Sequence, residues 1–156
     1  MKTPEDFMRH AIEEAKTGVG QKGYRPFAAL IVKGGQIVGQ AISKSRSGND
    51  PTAHGEVLAI REACNRLGTR SLEGCELYTT CEPCPLCVSA IWYAKINRIY
   101  YAYTLADCEK IGISTAELVD ELRHPISQRK MPSKRILARE AHELFEAWAS
   151  APNFEP

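Results

Sequence analysis

Four residues carry chemistry by their type and spacing: His54, Glu56, Cys84 and Cys87. Imidazole nitrogen and thiolate are ligands that zinc favours, and a zinc held by three protein groups keeps its fourth position for water. Cys84 and Cys87 are three residues apart, so on a helix both sulfurs face the same ion. At the start of that helix, free N–H groups and the positive dipole end favour thiolate over thiol. His54 can supply the third ligand from the first turn of another helix. Glu56, two residues on, is within reach of the same water. Zinc brings the pKa of its water toward about 7, and a carboxylate there can take the proton and pass it to a leaving group.

Two other readings compete for a Cys-x-x-Cys pair, a redox couple and a structural zinc knuckle. A knuckle needs a fourth ligand, and Cys81 is the best candidate for it. The full pattern ranks both below a catalytic zinc site. His54-Gly55-Glu56 followed by Pro83-Cys84-Pro85-Leu86-Cys87 matches the His-x-Glu and Pro-Cys-x-x-Cys signature of the zinc deaminases. Hydroxide then adds to an amidine-like ring carbon and ammonia leaves. Cys81 is expected to be a buried thiol near the site. Cys64, Cys75 and Cys108 are expected to act as small buried hydrophobes. His10, His124 and His142 have no partner at metal spacing.

These residues need elements to position them. Thr3-Pro4-Glu5-Asp6 reads as a helix start, and Phe7, Met8, Ala11, Ile12 and Ala15 give that helix one apolar face, ended by Gly18 or Gly20. Residues 27–32 and 36–42 read as strands joined at Gly34-Gly35. Asp50-Pro51 predicts the cap of a second helix that carries His54 and ends at Gly68. A short strand over 76–80 and a helix over 84–94 follow. A strand over 98–103, a helix over 115–123, an extended stretch near 134–138 and a helix over 139–148 complete the chain. The alternation predicts an α/β protein with helices on both faces of a sheet. No repeat or linker divides the sequence, so residues 1–156 are expected to form a single deaminase domain.

Composition narrows the function classes. Of the 156 residues, 44% are hydrophobic and 25% charged, ordinary for a globular chain with a proper core. A net charge of +1 lacks the basic excess of a nucleic-acid binder. The basic stretch of Arg123, His124, Arg129, Lys130, Lys134 and Arg135 is flanked by acids at Asp120, Glu121 and Glu140 and reads as solvated loop. No apolar run is long enough for a bilayer, and MKTPEDFMRH lacks the apolar segment of a signal peptide. A cytoplasmic location is expected, and there six cysteines are better explained by metal binding and packing than by disulfides.

The stretches Asn49-Asp50-Pro51-Thr52-Ala53-His54-Gly55-Glu56-Val57 and Leu77-Tyr78-Thr79-Thr80-Cys81-Glu82-Pro83-Cys84-Pro85-Leu86-Cys87 resemble the cytidine-deaminase-fold zinc enzymes. Within that family they lie in the branch of guanine, cytosine and tRNA adenosine deaminases, nearest the bacterial guanine deaminases. Pro26-Phe27 and Phe145-Glu146-Ala147-Trp148 extend the likeness over nearly the whole chain. The resemblance implies a three-layer α/β/α fold around a five-stranded mixed sheet, a Zn2+ cofactor and a small heterocyclic substrate. It also implies a homodimer whose C-terminal segment crosses to the partner. It places Glu56 and the Cys84 N–H at the reacting centre, Gly55 beside them, Phe27 stacked on the base, and Trp92 or Tyr93 walling the pocket.

Two departures bear on the substrate. Guanine deaminases carry an Asn that reads the ring where this chain has Ser43, and an acidic pair where it has Gly112-Ile113-Ser114-Thr115. Arg25 stands where the nearest relatives have Gly before Pro-Phe. A cation there, or a hydroxyl from Thr115, alters what the pocket accepts. Cytosine, a nucleoside or another amino-heterocycle are therefore alternatives to guanine, with tRNA adenosine ranked below them.

Overall fold

The computed structural model describes residues 2–156. The backbone divides into two compact units, one ending at Leu118 and the other running Val119–Pro156. The first unit holds helix α1 (Pro4–Lys16), strands β1 (Ala28–Lys33) and β2 (Gln36–Ile42), helix α2 (Gly55–Leu67), β3 (Cys75–Cys81), α3 (Pro85–Tyr93), β4 (Arg98–Tyr103) and α4 (Leu105–Lys110). Helix α5 (Ala116–Arg123) begins in it and ends in the second unit, which adds a 3-10 turn at Ile126–Gln128 and α6 (Ala138–Ala149).

The sheet order is β2-β1-β3-β4, antiparallel across the first two pairs and parallel between β3 and β4. It is mixed, as expected, but among the described residues it has four strands rather than five. The missing strand was expected near 134–138. Residues 134–137 there form no ladder, and Leu137 turns into the left-handed region (φ 50°) to begin α6. A strand exists only where a neighbour pairs its N–H and C=O groups, and nothing within this stretch's own unit does so.

Both faces of the central strands β1 and β3 are buried, which is why β1 reads as a continuous apolar run. Period-two alternation divides its side chains between two cores. Ala29, Ile31 and Leu77 pack with Ala59, Ala63, Leu72 and Ile91 on the side of α2 and α3. Leu30, Val32 and Tyr78 pack with Phe7 and Ala11 of α1 on the other. Helix α1 starts as its sequence predicts, with a capping box between Thr3 and Asp6 and Pro4 in the first turn.

Two helix boundaries differ from expectation. Helix α2 starts at Gly55, not Pro51, because the Asp50 carboxylate accepts from both the N–H and the hydroxyl of Thr52 (2.9 and 2.7 Å) and closes a tight turn instead of capping a helix. Helix α4 was not expected at all. It carries a second capping box, Thr104 with Asp107.

Candidate active site

The sheet and the helices bring the sequence-predicted ligands together at one point. His54 is the N-cap residue of α2 and Cys84 that of α3, and neither side chain caps its own helix. Both are thereby free to turn toward a shared centre. Strand β3 ends at Cys81, and Glu82-Pro83 leads directly into α3, so the site lies at the carboxyl end of the parallel pair.

The His54 Nδ1 lies 3.5 Å from the Cys84 Sγ and 3.4 Å from the Cys87 Sγ, and the two sulfurs are 3.7 Å apart. A tetrahedral zinc with ordinary bond lengths needs S···S edges of about 3.8 Å and N···S edges of about 3.6 Å. The three donors already have that spacing, so a zinc ion fits without rearrangement. Among the described residues, His54, Cys84 and Cys87 are the group of three with metal-binding geometry. Cys81 is not part of it, since its sulfur lies 3.2 Å from the Cys108 Sγ, in a buried pair. The four-ligand knuckle is thus excluded by position.

The three groups perturb one another's protonation strongly, as close contact requires. Cys84 is pulled down to about 4, chiefly by its hydrogen bond with Cys87 and also by His54, against the opposing effect of burial. The same Cys84 contact, together with burial, pushes Cys87 up. His54 is raised, first by its hydrogen bond with Cys84.

Glu56 is 5% exposed. Burial raises its pKa above the ordinary carboxylate value. The Thr79 Oγ1 lies 3.3 Å from the Glu56 Oε1 and 3.0 Å from the Cys81 carbonyl oxygen, which ties the carboxyl to β3.

Glu56, His54 and Cys84 open on a cavity of about 330 Å³, with Arg25, Phe27, Leu86 and Thr115 on its walls. The backbone around Phe27 is clasped from three sides. Thr80 accepts from the Ala28 N–H (3.0 Å) and donates to the Pro26 carbonyl (2.8 Å), and the Ser43 N–H donates to the Phe27 carbonyl (2.8 Å). Gly55 completes the clasp, because a Cβ on it would stand 2.6 Å from the Phe27 oxygen. Gly55 therefore acts through its missing side chain.

Other expected residues lie elsewhere. Trp92 and Tyr93 are 81% and 83% exposed and line a separate depression with Glu73, Lys95 and Asn97. They sit in the last turn of α3, and at about 1.5 Å of rise per residue that is the far end of the helix from Cys84 and Cys87. Ser43 is also outside the cavity wall, its hydroxyl 3.2 Å from the Ser45 hydroxyl and 3.5 Å from the Ala53 carbonyl. His10 meets Gln40, His124 the Asp120 carbonyl, and His142 pairs with Glu146.

The structure adds residues that the sequence reading did not single out. Glu82 lines the cavity and accepts from the Leu105 N–H at the start of α4 (2.9 Å). Cys108, Ile113, Ser114 and Leu118 complete that wall. The Thr104-x-x-Asp107 capping box was the available signal for α4.

A three-ligand zinc position with a buried carboxyl beside it, at the carboxyl end of a mixed sheet, is the working arrangement of a zinc-dependent aminohydrolase acting on C–N bonds. Residues 1–103 match the cytidine and deoxycytidylate deaminase zinc-binding region. The chain belongs to that family, and its cofactor is Zn2+. It is 38% identical to the guanine deaminase of Bacillus subtilis over 149 residues, 96% of each chain. The crystal structure of that enzyme superposes with a TM-score of 0.93, covering 99% of both chains at 36% identity. A tRNA-specific adenosine deaminase from Aquifex aeolicus is 46% identical over 145 residues, 90% of each chain. No helix among the described residues is long and apolar enough to cross a membrane.

Proposed function

We propose that this protein hydrolytically deaminates a free amino-heterocycle, with guanine as the first substrate to test. The observation that carries the reading is one cavity of about 330 Å³ onto which the metal ligands His54 and Cys84, together with Glu56 and Phe27, open. That volume is at the small end of ligand pockets and holds a single ring system. Similarity to a guanine deaminase over 96% of both chains supports the same substrate class. The net charge of +1 offers little attraction for tRNA.

In this reading His54, Cys84 and Cys87 hold the zinc, which lowers the pKa of a water and polarises it for attack. Glu56 accepts the proton that the nucleophile gives up and returns it to the departing amine. Water and the C–NH2 group thus become C=O and ammonia. The Glu56 carboxyl, on the cavity wall and tied to Thr79, is placed to make both transfers. Phe27 stacks on the ring, held by the clasp around its backbone. Gly55 keeps α2 close enough to form that clasp, and the Cys84 N–H and the Thr115 hydroxyl offer hydrogen bonds to the substrate.

The active form is proposed to be a cytoplasmic homodimer in which residues 1–156 act as one catalytic domain and the C-terminal segment exchanges between subunits. The exposed Val88, Trp92 and Tyr93 of α3 and Leu144, Phe145 and Trp148 of α6 support an association surface. Ammonia release from guanine, cytosine, adenine and their nucleosides, with the product identified by mass, tests the substrate reading. Guanine is expected to yield xanthine. Turnover of tRNA alone would overturn it.

A further inference from the structure

Arg25 lacks an ion pair among the described residues. It lines the cavity together with His54, Glu56, Phe27 and Thr115 and is half-buried. Among the described residues no carboxylate pairs with it. The two acids that line the same cavity, Glu82 and Glu56, are hydrogen-bonded to the Leu105 N–H and to Thr79 rather than to Arg25. The charged group that Arg25 does meet is another cation. Burial strips some of its water and Arg46 repels it, so its pKa is lowered. Arg46, exposed on the neighbouring loop, likewise has no ion pair. Its Cβ approaches Gly23, which brings that loop against the segment carrying Arg25.

A partly desolvated guanidinium without an anion is costly unless a ligand supplies one. Its donors form a rigid fork that matches an oxyanion in two parallel hydrogen bonds. A second guanidinium, Arg46, acts on it electrostatically, which adds to the positive charge on the side of the cavity that Arg25 lines.

We propose that Arg25, backed by Arg46, selects substrates that carry an oxyanion, so that the preferred substrate is an amino-heterocycle with a carboxylate or phosphate on the edge away from the reacting carbon. The inference rests on the deaminase reading and narrows it. The ring is held by Phe27, the amine faces the metal triad and Glu56, and the anionic group reaches Arg25. Arg25 acts in binding and takes no part in proton transfer.

Matched pairs test this. The kcat/KM is measured for pterin against pterin-6-carboxylate and for guanosine against guanosine 5′-monophosphate, with the zinc-loaded wild type, R25Q, R25K and R46Q. The wild type is expected to favour the charged member of one pair by about 10-fold or more, the scale of a charged hydrogen bond, chiefly through KM. The pair that responds tells carboxylate from phosphate. R25Q should bring the preference within about twofold, R25K should restore part of it, and R46Q should weaken it. Raising the salt should erode it in the wild type. No preference in either pair, or a preference that survives R25Q, overturns the inference. Dissociation constants for the fluorescent pterin pair read the selection without turnover. Selective binding lost in R25Q, with ammonia released from no substrate, would sustain the role of Arg25 and overturn the deaminase reading. Equal binding of both pterins would overturn the role of Arg25 whatever the turnover.

Discussion

At the scale of single residues, the account turns on which groups hold the metal and which one moves protons. Cys84→Ala and Cys87→Ala are expected to lose zinc, measured as metal per chain after gel filtration. Cys81→Ala should retain one zinc per chain, because its sulfur faces Cys108 and not the triad. A Cys81→Ala protein without zinc would show that the triad is misassigned. The metal triad was legible in the sequence because its spacing is local: Cys84 and Cys87 are a helical turn apart, and His54 and Glu56 share one helix start. Trp92, Tyr93 and Ser43 were expected at the pocket and lie outside its wall. Which cavity a side chain lines depends on helix direction and loop closure, and neither is encoded in the distance from a motif. Arg25 could be placed at the pocket mouth from its neighbour Phe27, but its lack of an acid partner needed the structure.

At the scale of elements, the site depends on α2 lying flat against β2 and β1. Gly39 on β2 makes this close approach. A Cβ there would overlap the Ala59 carbonyl oxygen and stand 2.8 Å from the Ala63 nitrogen. Gly39→Ala is therefore expected to cost about 1–3 kcal/mol, read as a fall in Tm of about 2–4 °C per kcal/mol for a chain of this size. An unchanged Tm would mean that α2 is free to shift. Leu77→Ala, which empties the core on the same face, should cost about 2–5 kcal/mol, checked by denaturant unfolding. Hydrophobic period and turn residues revealed β1, β2, β3, β4 and α1, since each buries an alternating or helical face. Helix α4 escaped because its six residues are too few to show a period, although its capping box stood in the sequence. The α2 boundary was misplaced because Asp-Pro signals a turn as readily as a helix start. The fifth strand was expected from composition near 134–138, whereas a strand needs a partner that composition does not show.

At the scale of the whole molecule, the exposed aromatic and aliphatic side chains of α3 and α6 carry the proposed dimer. Trp92→Glu is expected to shift the protein from dimer to monomer in sedimentation equilibrium, with zinc content unchanged; a monomeric wild type would contradict that proposal. Family, cofactor and reaction class are common to the sequence motif, the ligand geometry and the relatives. The central claim is that the buried Glu56 serves a zinc-dependent deamination. The most direct test is the rate of ammonia release from guanine by the wild type and by Glu56→Gln at equal, verified zinc content. The account predicts turnover by the wild type and a loss of about 10²–10⁴-fold in kcat for the variant, with one zinc still bound. Undiminished turnover in zinc-loaded Glu56→Gln would contradict it.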